Sequence, residues 1–454
     1  MSSSTTTTTK PWPTPDGVAA LLDDVLHVDR SHPRPPLRYL RRKPGRGLVA
    51  VYGSAGDEMY TVKVDETAVS GEGVPASPAA AAPDTLHGTV HIDPLGVTIE
   101  RFPDDERLPG LAAAIHPTEG SALWTALAAV AAAQPGHDGD SLVSVSAVPL
   151  RYKPGDRCVV RYRLVARTPS GADVSSSVIG KLYRDAEQAQ DATALAERLW
   201  DLQGAQPWAP RPLGVVESLS LALTEDLGSP SDTPATVMGT DVLRMGSQPP
   251  SEALRAAATA LADLHLRMVA APGTSRRTGA QEALKSANRA ATIARYVPEL
   301  AGDVAPLAVA VGEALEASTP AVFRPAHGSY KASQLLYREG SVLLVDFDQF
   351  CLADPALDLG YFLAYLRPPG LWYHRAGTRA WFEQAAASFL AAYGEAAQAR
   401  GMSADELTEV TRRCHVYEAA LLLKIAARRP NRMHSARPGE VRVLLDEVAA
   451  CLTA

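Results

Sequence analysis

Residues His327–Leu366 read HGSYKASQLLYREGSVLLVDFDQFCLADPALDLGYFLAYL, and this stretch decides the fold. A polar loop, His327–Gln334, precedes a hairpin made of QLLYR and SVLLVDF. Asp346 emerges at the end of the second strand, and Asp348 follows two residues later. Oxygen donors so placed suit a divalent cation, because Mg2+ takes one or two carboxylates and fills its shell with substrate phosphates. Gln334 adds a neutral amide oxygen from the start of the hairpin. A D-x-D pair alone is better explained by solvated turn residues. Specificity comes from the longer pattern: H-G-x-x-x-x-x-[NQ], then D-F-D, then D-P-x-x-D-L at fixed offsets.

Upstream, CVVRYRLVA (158–166) alternates polar and apolar residues with period two, hence a strand. It follows a turn at Pro154-Gly155-Asp156, and a further strand, SSSVIGKLY, ends near Lys181 and Tyr183. A helical pattern runs from Asp185 to Gln203, with Leu195, Leu199 and Leu202 on one face. LSLALTEDLG is a buried strand that breaks at Gly228. From Ser251 the chain turns mostly helical, with Ser251 expected as an N-cap and Ser403–Glu406 as a capping box.

Further towards the N-terminus, LRYLRRKPGRGLVAVYG and EMYTVKV read as hairpin material, and TVHIDPLGVTIERF as another strand pair. A short helix is expected over Ser121 to Ala133. RKPGRGLVAVY (42–52) echoes YKPGDRCVVRY (152–162), and each is followed by a strand carrying a lysine, Lys63 or Lys181. A decayed duplication and chance similarity of two hairpins both explain so short a match.

The expected organisation is a polar tail (1–15), an N-terminal β-containing extension (16–146) with a long loop at 69–84, a β-rich lobe (147–228) and a helical lobe (229–454). At 454 residues the chain is too long for one core. A net charge of −7 argues against a nucleic-acid binder or a basic membrane-surface protein. With no run of 18 apolar residues a membrane span is not expected, and the start lacks the apolar core of a signal peptide. Cys158, Cys351, Cys414 and Cys451 have neither C-x-x-C nor zinc spacing and read as small apolar fillers in a reducing compartment. A cytoplasmic protein is the expectation.

The pattern from Leu150 to Leu366 resembles the aminoglycoside phosphotransferase and choline-kinase-like family of small-molecule kinases. The resemblance implies an α+β, bilobal protein-kinase-like fold: a β-rich N-lobe, a mostly helical C-lobe, and here an additional N-terminal β-containing segment. It implies ATP and Mg2+ as cofactors, with Gln334 and Asp346 as the metal pair and Asp348 assisting a second ion. Asp354, Asp358 and His327 are implied to be structural. Lys181 is the expected phosphate-gripping lysine, with Glu197 as its carboxylate partner and Glu187 in reserve. The Lys153–Arg157 turn takes the place of the phosphate-covering loop, its backbone amides and Arg157 doing that work. Glu225–Leu227 is the expected hinge that reads adenine by its backbone.

One position departs from the family. Its catalytic loop usually reads H-G-D; here Ser329 stands in place of the aspartate that orients the acceptor hydroxyl and takes its proton. Serine is no base near neutral pH without an activator. In one reading the chain is a working phosphotransferase acting on a hydroxyl of a small molecule or natural-product peptide. Phosphoryl transfer needs positioning more than a strong base, Lys331 neutralises the moving group, and Asp348 orients the acceptor. In the other it is a pseudokinase that binds nucleotide or peptide as a scaffold for a protein partner. In a peptide pathway the extension would hold a leader by strand addition. The basic, aromatic loop RPPGLWYHR (367–375) suggests an acceptor that is not a simple polycation, although Trp372 and Tyr373 fit packing roles better.

Overall fold

The structure is a computed structural model that describes residues 36–43, 47–53, 58–65, 89–92, 96–133, 139–202, 209–228, 236–317, 320–429 and 438–453. The polar tail and the 69–84 loop lie outside the described residues. The chain divides into two compact units. One takes residues up to Thr193 together with Leu213–Thr224; the other takes Ala194–Pro212 and most of the chain from Glu225 onward.

The first unit opens with an antiparallel sheet of β1 (Leu37–Lys43), β2 (Gly47–Tyr52), β3 (Tyr60–Val64), β4 (Thr89–Ile92) and β5 (Val97–Arg101), ordered β1-β2-β3-β5-β4. The apolar run in GLVAVY is buried on both faces, as a central strand of this kind requires. Two helices follow, α1 (Leu111–Ile115) and α2 (Ala122–Ala132), within a residue of expectation for the latter. The Ser121 hydroxyl caps α2 by accepting the Trp124 N–H at 3.2 Å.

Next come β6 (Ser141–Lys153), β7 (Arg157–Arg167), β8 (Asp173–Leu182), α3 (Ala186–Leu202), β9 (Pro212–Val216) and β10 (Leu221–Glu225). The second sheet is ordered β6-β7-β8-β10-β9. Leu111, Leu123 and Leu127 of α1 and α2 pack against its Cys158, Val160, Tyr162 and Leu164, so the helices that precede β6 complete this sheet's core. β6 starts at Ser141, whereas the sequence reading began its strand near Leu150 and drew a boundary at 147. Its serine-rich, largely exposed first half has little strand propensity of its own, and pairing with β7 along the whole ladder holds it.

Position by position the two sheets have the same strand order. Their registers agree as well. Lys43 lies opposite Gly47 and Lys153 opposite Arg157, each across a Pro-Gly-x turn sequence; two rungs along, Val49 faces Lys63 and Val159 faces Lys181. The short echo in the sequence is therefore a repeat of a whole five-stranded unit.

The second unit is mainly helical: α4 (Gly239–Val242), α5 (Ser251–Arg267), α6 (Gly279–Tyr296), α7 (Ala301–Ala317), α8 (Ala356–Leu366), α9 (Thr378–Ala399), α10 (Ala404–Arg428) and α11 (Pro438–Thr453). Two small sheets sit among them. β14 (Leu335–Arg338) and β15 (Ser341–Leu344) form the expected hairpin, extended by β11 (Val237–Met238). The other joins β12 (Arg276–Arg277), β13 (Arg324–Ala326) and β16 (Cys351–Ala353), strands too short to show a period in sequence.

Ser251 is not the N-cap expected of it. Pro250 takes that position, its carbonyl accepting the Leu254 N–H at 3.0 Å, and Ser251 begins the helix. Ser403 does cap α10, accepting the Glu406 N–H at 3.1 Å, but the Glu406 carboxylate turns to Arg324 at 2.8 and 2.9 Å instead of closing the box. Nearly all of α8 is buried. At Gly360 a Cβ would lie 2.6 Å from the Glu418 backbone nitrogen, so α8 and α10 pack at a distance a side chain would prevent.

Candidate active site

Two buried aspartates support the site, and one of them, Asp358, holds the loop His327–Gln334. Asp358 Oδ2 accepts the His327 N–H at 2.6 Å and Oδ1 accepts the Tyr330 N–H at 3.4 Å. Burial alone would raise the Asp358 pKa, but His265 at 3.4 Å and the other partners pull it below the ordinary value, so the group is an anion and accepts. Asp354 accepts the Ala356 N–H at 3.0 Å and takes a fork from Arg413 at 2.6 and 3.3 Å. These are the capping and loop-holding tasks the sequence pattern implies for D-P-x-x-D-L. Gly328 has φ +72°, and a Cβ there would stand 2.0 Å from the Gln349 carbonyl oxygen, which explains the glycine after the histidine.

Above these supports the side chains form a line. His327 is fully buried and stacks on Phe347 with centroids 4.9 Å apart. Its Nε2 meets the Val345 carbonyl at 3.2 Å. A carbonyl can only accept, so Nε2 carries the hydrogen and Nδ1 presents a lone pair. Ser329 Oγ lies 3.5 Å from that Nδ1. Burial lowers the His327 pKa, although the Asp358 charge opposes this, so the ring is a neutral acceptor. Gln334 Nε2 then donates to Ser329 Oγ at 3.0 Å and to Asp346 Oδ2 at 3.1 Å. Asp346 itself has φ +69°, the left-handed region a non-glycine residue seldom occupies, at the point where β15 ends.

Ser329, Gln334 and Asp346 are thus brought together. Lys331 stands 5.9 Å over the Tyr365 ring, and Asp348 is exposed on the following turn. Among the described residues no group of three or more His, Cys, Asp or Glu side chains is arranged to hold a metal. Gln334 and Asp346 side by side do supply two hard oxygen-bearing side chains, which fits an ion that keeps water and phosphate in its shell.

In the first unit, Lys181 lies on β8 with its ammonium 5.3 Å over the Tyr183 ring. Glu187 and Glu197 are both on the exposed side of α3. The Lys153–Arg157 turn is tightly tied. Lys153 pairs with Asp156, Arg184 reaches Asp156 at 2.7 Å, and Arg157 is 3.5 Å from it. The Gly155 N–H, one of the amides expected to face phosphate, donates instead to Asp105 Oδ2 at 2.7 Å, and Tyr152 OH donates to the same oxygen at 2.7 Å. In the second unit the Glu225 N–H donates to the Arg211 carbonyl at 2.9 Å, the Arg211 N–H donates to the Glu225 carboxylate at 3.3 Å, and Leu227 is buried.

Asp105 and Arg277 went unnoticed in the sequence. Arg277 donates to the Gly328 carbonyl at 2.7 Å, so a residue 51 positions upstream steadies the His327–Gln334 loop. Neither stands in a motif, and no pattern in one sequence marks a lone charged residue for such a contact. In the basic loop 367–375 Arg367 and Trp372 are packed, whereas Tyr373 is 49% exposed and Arg375 is exposed. Arg367 is buried between Glu418 and Glu447, Trp372 is buried, and Tyr373 OH donates to Glu440 at 2.5 Å.

Residues 163–407, more than half of the chain, match the phosphotransferase enzyme family (APH). The chain belongs to that family. The α+β, protein-kinase-like organisation read from the H-G, D-F-D and D-P-x-x-D-L pattern is that of the family. No curated protein sequence matches the chain. Among solved structures it is similar to a glucosamine kinase, with 17% identity over 97% of each chain and a TM-score of 0.46. It is also similar to a choline kinase from Cryptosporidium parvum Iowa II, with 11% identity over 70% of this chain and 91% of that one and a TM-score of 0.45. An amicoumacin kinase gives 14% identity over 68% and 88%, with a TM-score of 0.41. Among the described residues no helix of this phosphotransferase-family chain is long and apolar enough to cross a membrane.

Proposed function

We propose that the protein transfers the γ-phosphoryl group of ATP to a hydroxyl of a small molecule or peptide, with Mg2+, in the cytoplasm. The observation that supports this best is the hydrogen-bonded line His327–Ser329–Gln334–Asp346, in which the serine has a neutral imidazole beside it. Gln334 and Asp346 hold the metal, with Asp348 assisting. When bound, the ion neutralises charge on the β- and γ-phosphates. Lys181 grips phosphate oxygens, and Glu225–Leu227 meets the adenine through its backbone.

Ser329 supplies the function of the missing carboxylate in two linked proton transfers. As the acceptor oxygen bonds to the γ-phosphorus and the bond to ADP breaks, the acceptor proton passes to Ser329 Oγ. The serine's own proton passes to His327 Nδ1, and after the product leaves the imidazolium returns it to Ser329 Oγ, whose extra proton goes to solvent. Lys331 offsets charge on the moving group. A buried imidazole with a depressed pKa is a weak base, which suits a loose transition state that needs orientation more than proton abstraction.

ADP release measured with Mg2+ over a panel of hydroxyl acceptors tests this. Asp346→Ala is expected to lower turnover by on the order of 10³-fold. Ser329→Ala should lower it by roughly 10–100-fold, with ATP affinity retained. ATP binding in a thermal-shift titration, with no ADP release from any acceptor, would instead support a scaffold, the reading that the serine substitution itself favours.

A further inference from the structure

Helix α8, which follows β16, carries Tyr361 and Tyr365, four residues apart and therefore on one face. Their rings lie parallel, 8° apart in plane and 6.1 Å between centroids. Cations from three elements gather on them. Lys424 of α10 stands 4.6 Å over the Tyr361 ring and donates to its hydroxyl, and Arg277 of β12 lies 5.7 Å from the same ring. Arg428 of α10 donates to Tyr365 OH at 3.1 Å. Arg289 of α6 also repels the Lys424 charge. The cluster adjoins the reacting loop, since Arg277 also donates to the Gly328 carbonyl at 2.7 Å and Lys331 lies 5.9 Å over Tyr365.

The charges do not balance. The carboxylate acting on Lys424 is Glu282, and it is already engaged by Arg277 at 2.6 Å, Lys285 at 2.7 Å and Arg289 at 3.7 Å. Among the described residues no carboxylate is within ion-pair distance of Lys424 or Arg428. A part-buried ammonium near three guanidinium groups is costly without a counter-charge.

We propose that this cluster is the acceptor subsite and that it selects an acceptor bearing an oxyanion, phosphate or carboxylate, beside its hydroxyl. The proposal rests on the phosphotransferase reading for the word acceptor, but the anion site stands on its own geometry. Guanidinium forks and an ammonium match a phosphate or carboxylate group, and the two tyrosine rings hold the cations in place. Burial, and then the repulsion of Arg428, Arg289 and Arg277, push the Lys424 pKa down to about 6, against the attraction of Glu282. An anion would bring the missing counter-charge, so binding is coupled to protonation of Lys424.

Calorimetric titration of the full chain with sulfate, and separately with acetate, tests this between pH 6 and 8, where neither probe titrates. Sulfate affinity is expected to tighten roughly ten-fold as pH falls from 8 to 7 and to keep tightening towards 6. Lys424→Met should abolish that pH dependence and weaken binding at pH 6 by about ten-fold or more, while Lys424→Arg keeps affinity but loses the pH dependence. Stronger binding of sulfate assigns a phosphate-bearing acceptor; stronger binding of acetate assigns a carboxylate. Should Lys424→Met not fold, the wild-type pH profile alone still decides. Absence of binding by both anions at millimolar concentration, or affinity that is flat with pH, would overturn the subsite. ADP release from neutral acceptors together with no anion binding sinks this inference and leaves phosphotransfer intact. Anion binding as described without any ADP release does the reverse.

Discussion

The first unit contains the same five-stranded arrangement twice, and the two copies use the same lysine differently. In the first sheet Lys63 is 2.5 Å from Glu100 and 3.6 Å from Asp105, both carboxylates wholly buried. In the second, Lys181 occupies the matching rung, half-buried over the Tyr183 ring. The fifth strands explain the contrast. VTIER buries Glu100, whereas LALTE buries Leu221, Ala222 and Leu223 and carries its acid only at the edge, as Glu225. One copy has spent its lysine on a structural ion pair, and the other has Thr224 at the place along the strand that Glu100 takes in the first. The copies are also joined, because Asp105 touches Lys63 on one side and accepts from Gly155 and Tyr152 of the second sheet on the other.

Exchanging the roles of the two lysines would break this contrast most sharply. Lys181→Ala is expected to lower ATP turnover by on the order of 10³-fold and leave folding stability within about 0.5 kcal/mol, read by ADP release and urea unfolding. A loss of the same size from Lys63→Ala in folded protein would erase the distinction.

Next in size, Lys63→Met should cost about 3 kcal/mol of unfolding free energy, because Glu100 is left buried without its partner. Adding Glu100→Gln should recover part of that loss. Strict additivity of the two changes would show that the pair is not coupled.

Asp105→Ala removes the acceptor shared by Gly155 and Tyr152 and should cost about 2 kcal/mol. It should also raise the KM for ATP several-fold through the loosened Lys153–Arg157 turn, with kcat less affected. Unchanged kinetics alongside lowered stability would confine Asp105 to a structural task.

The smallest effect concerns acid. Burial alone would raise the Asp156 pKa, but hydrogen bonds from Lys153 and Arg184 and the nearby Arg157 hold it at about 2, below its unfolded value. Its stabilisation, about 1 kcal/mol after allowing for solvent screening, is present above about pH 4 and is lost as pH falls through 2. Asp156→Asn should flatten that part of the stability–pH curve.

Much of the site was legible because it is local. His327, Ser329, Gln334 and Asp346 span one loop and one hairpin, so their spacing survives in the sequence as a pattern. The resemblance implied that the aspartates of D-P-x-x-D-L are supports, and the structure shows the hydrogen bonds they make. The repeat was half legible: a shared K-P-G turn and a following lysine raised it, and strand order and register show how far the structural likeness extends. The start of β6 and the cap of α5 were misread, because neighbours across a ladder and a preceding proline pair overrode local preference.

The residues alone were enough to establish a kinase-like chain with a serine in place of its usual aspartate, since loop chemistry follows from order and spacing. Which lysine is tied to a buried acid, which basic residues are packing and which surround two tyrosines depended on chain segments far apart in sequence. Arg367 and Lys424 are both cations of the helical unit, yet buried Arg367 meets Glu418 and Glu447 while part-buried Lys424 feels the repulsion of three guanidinium groups. Electrostatic interaction depends on distance and local dielectric, and folding sets both.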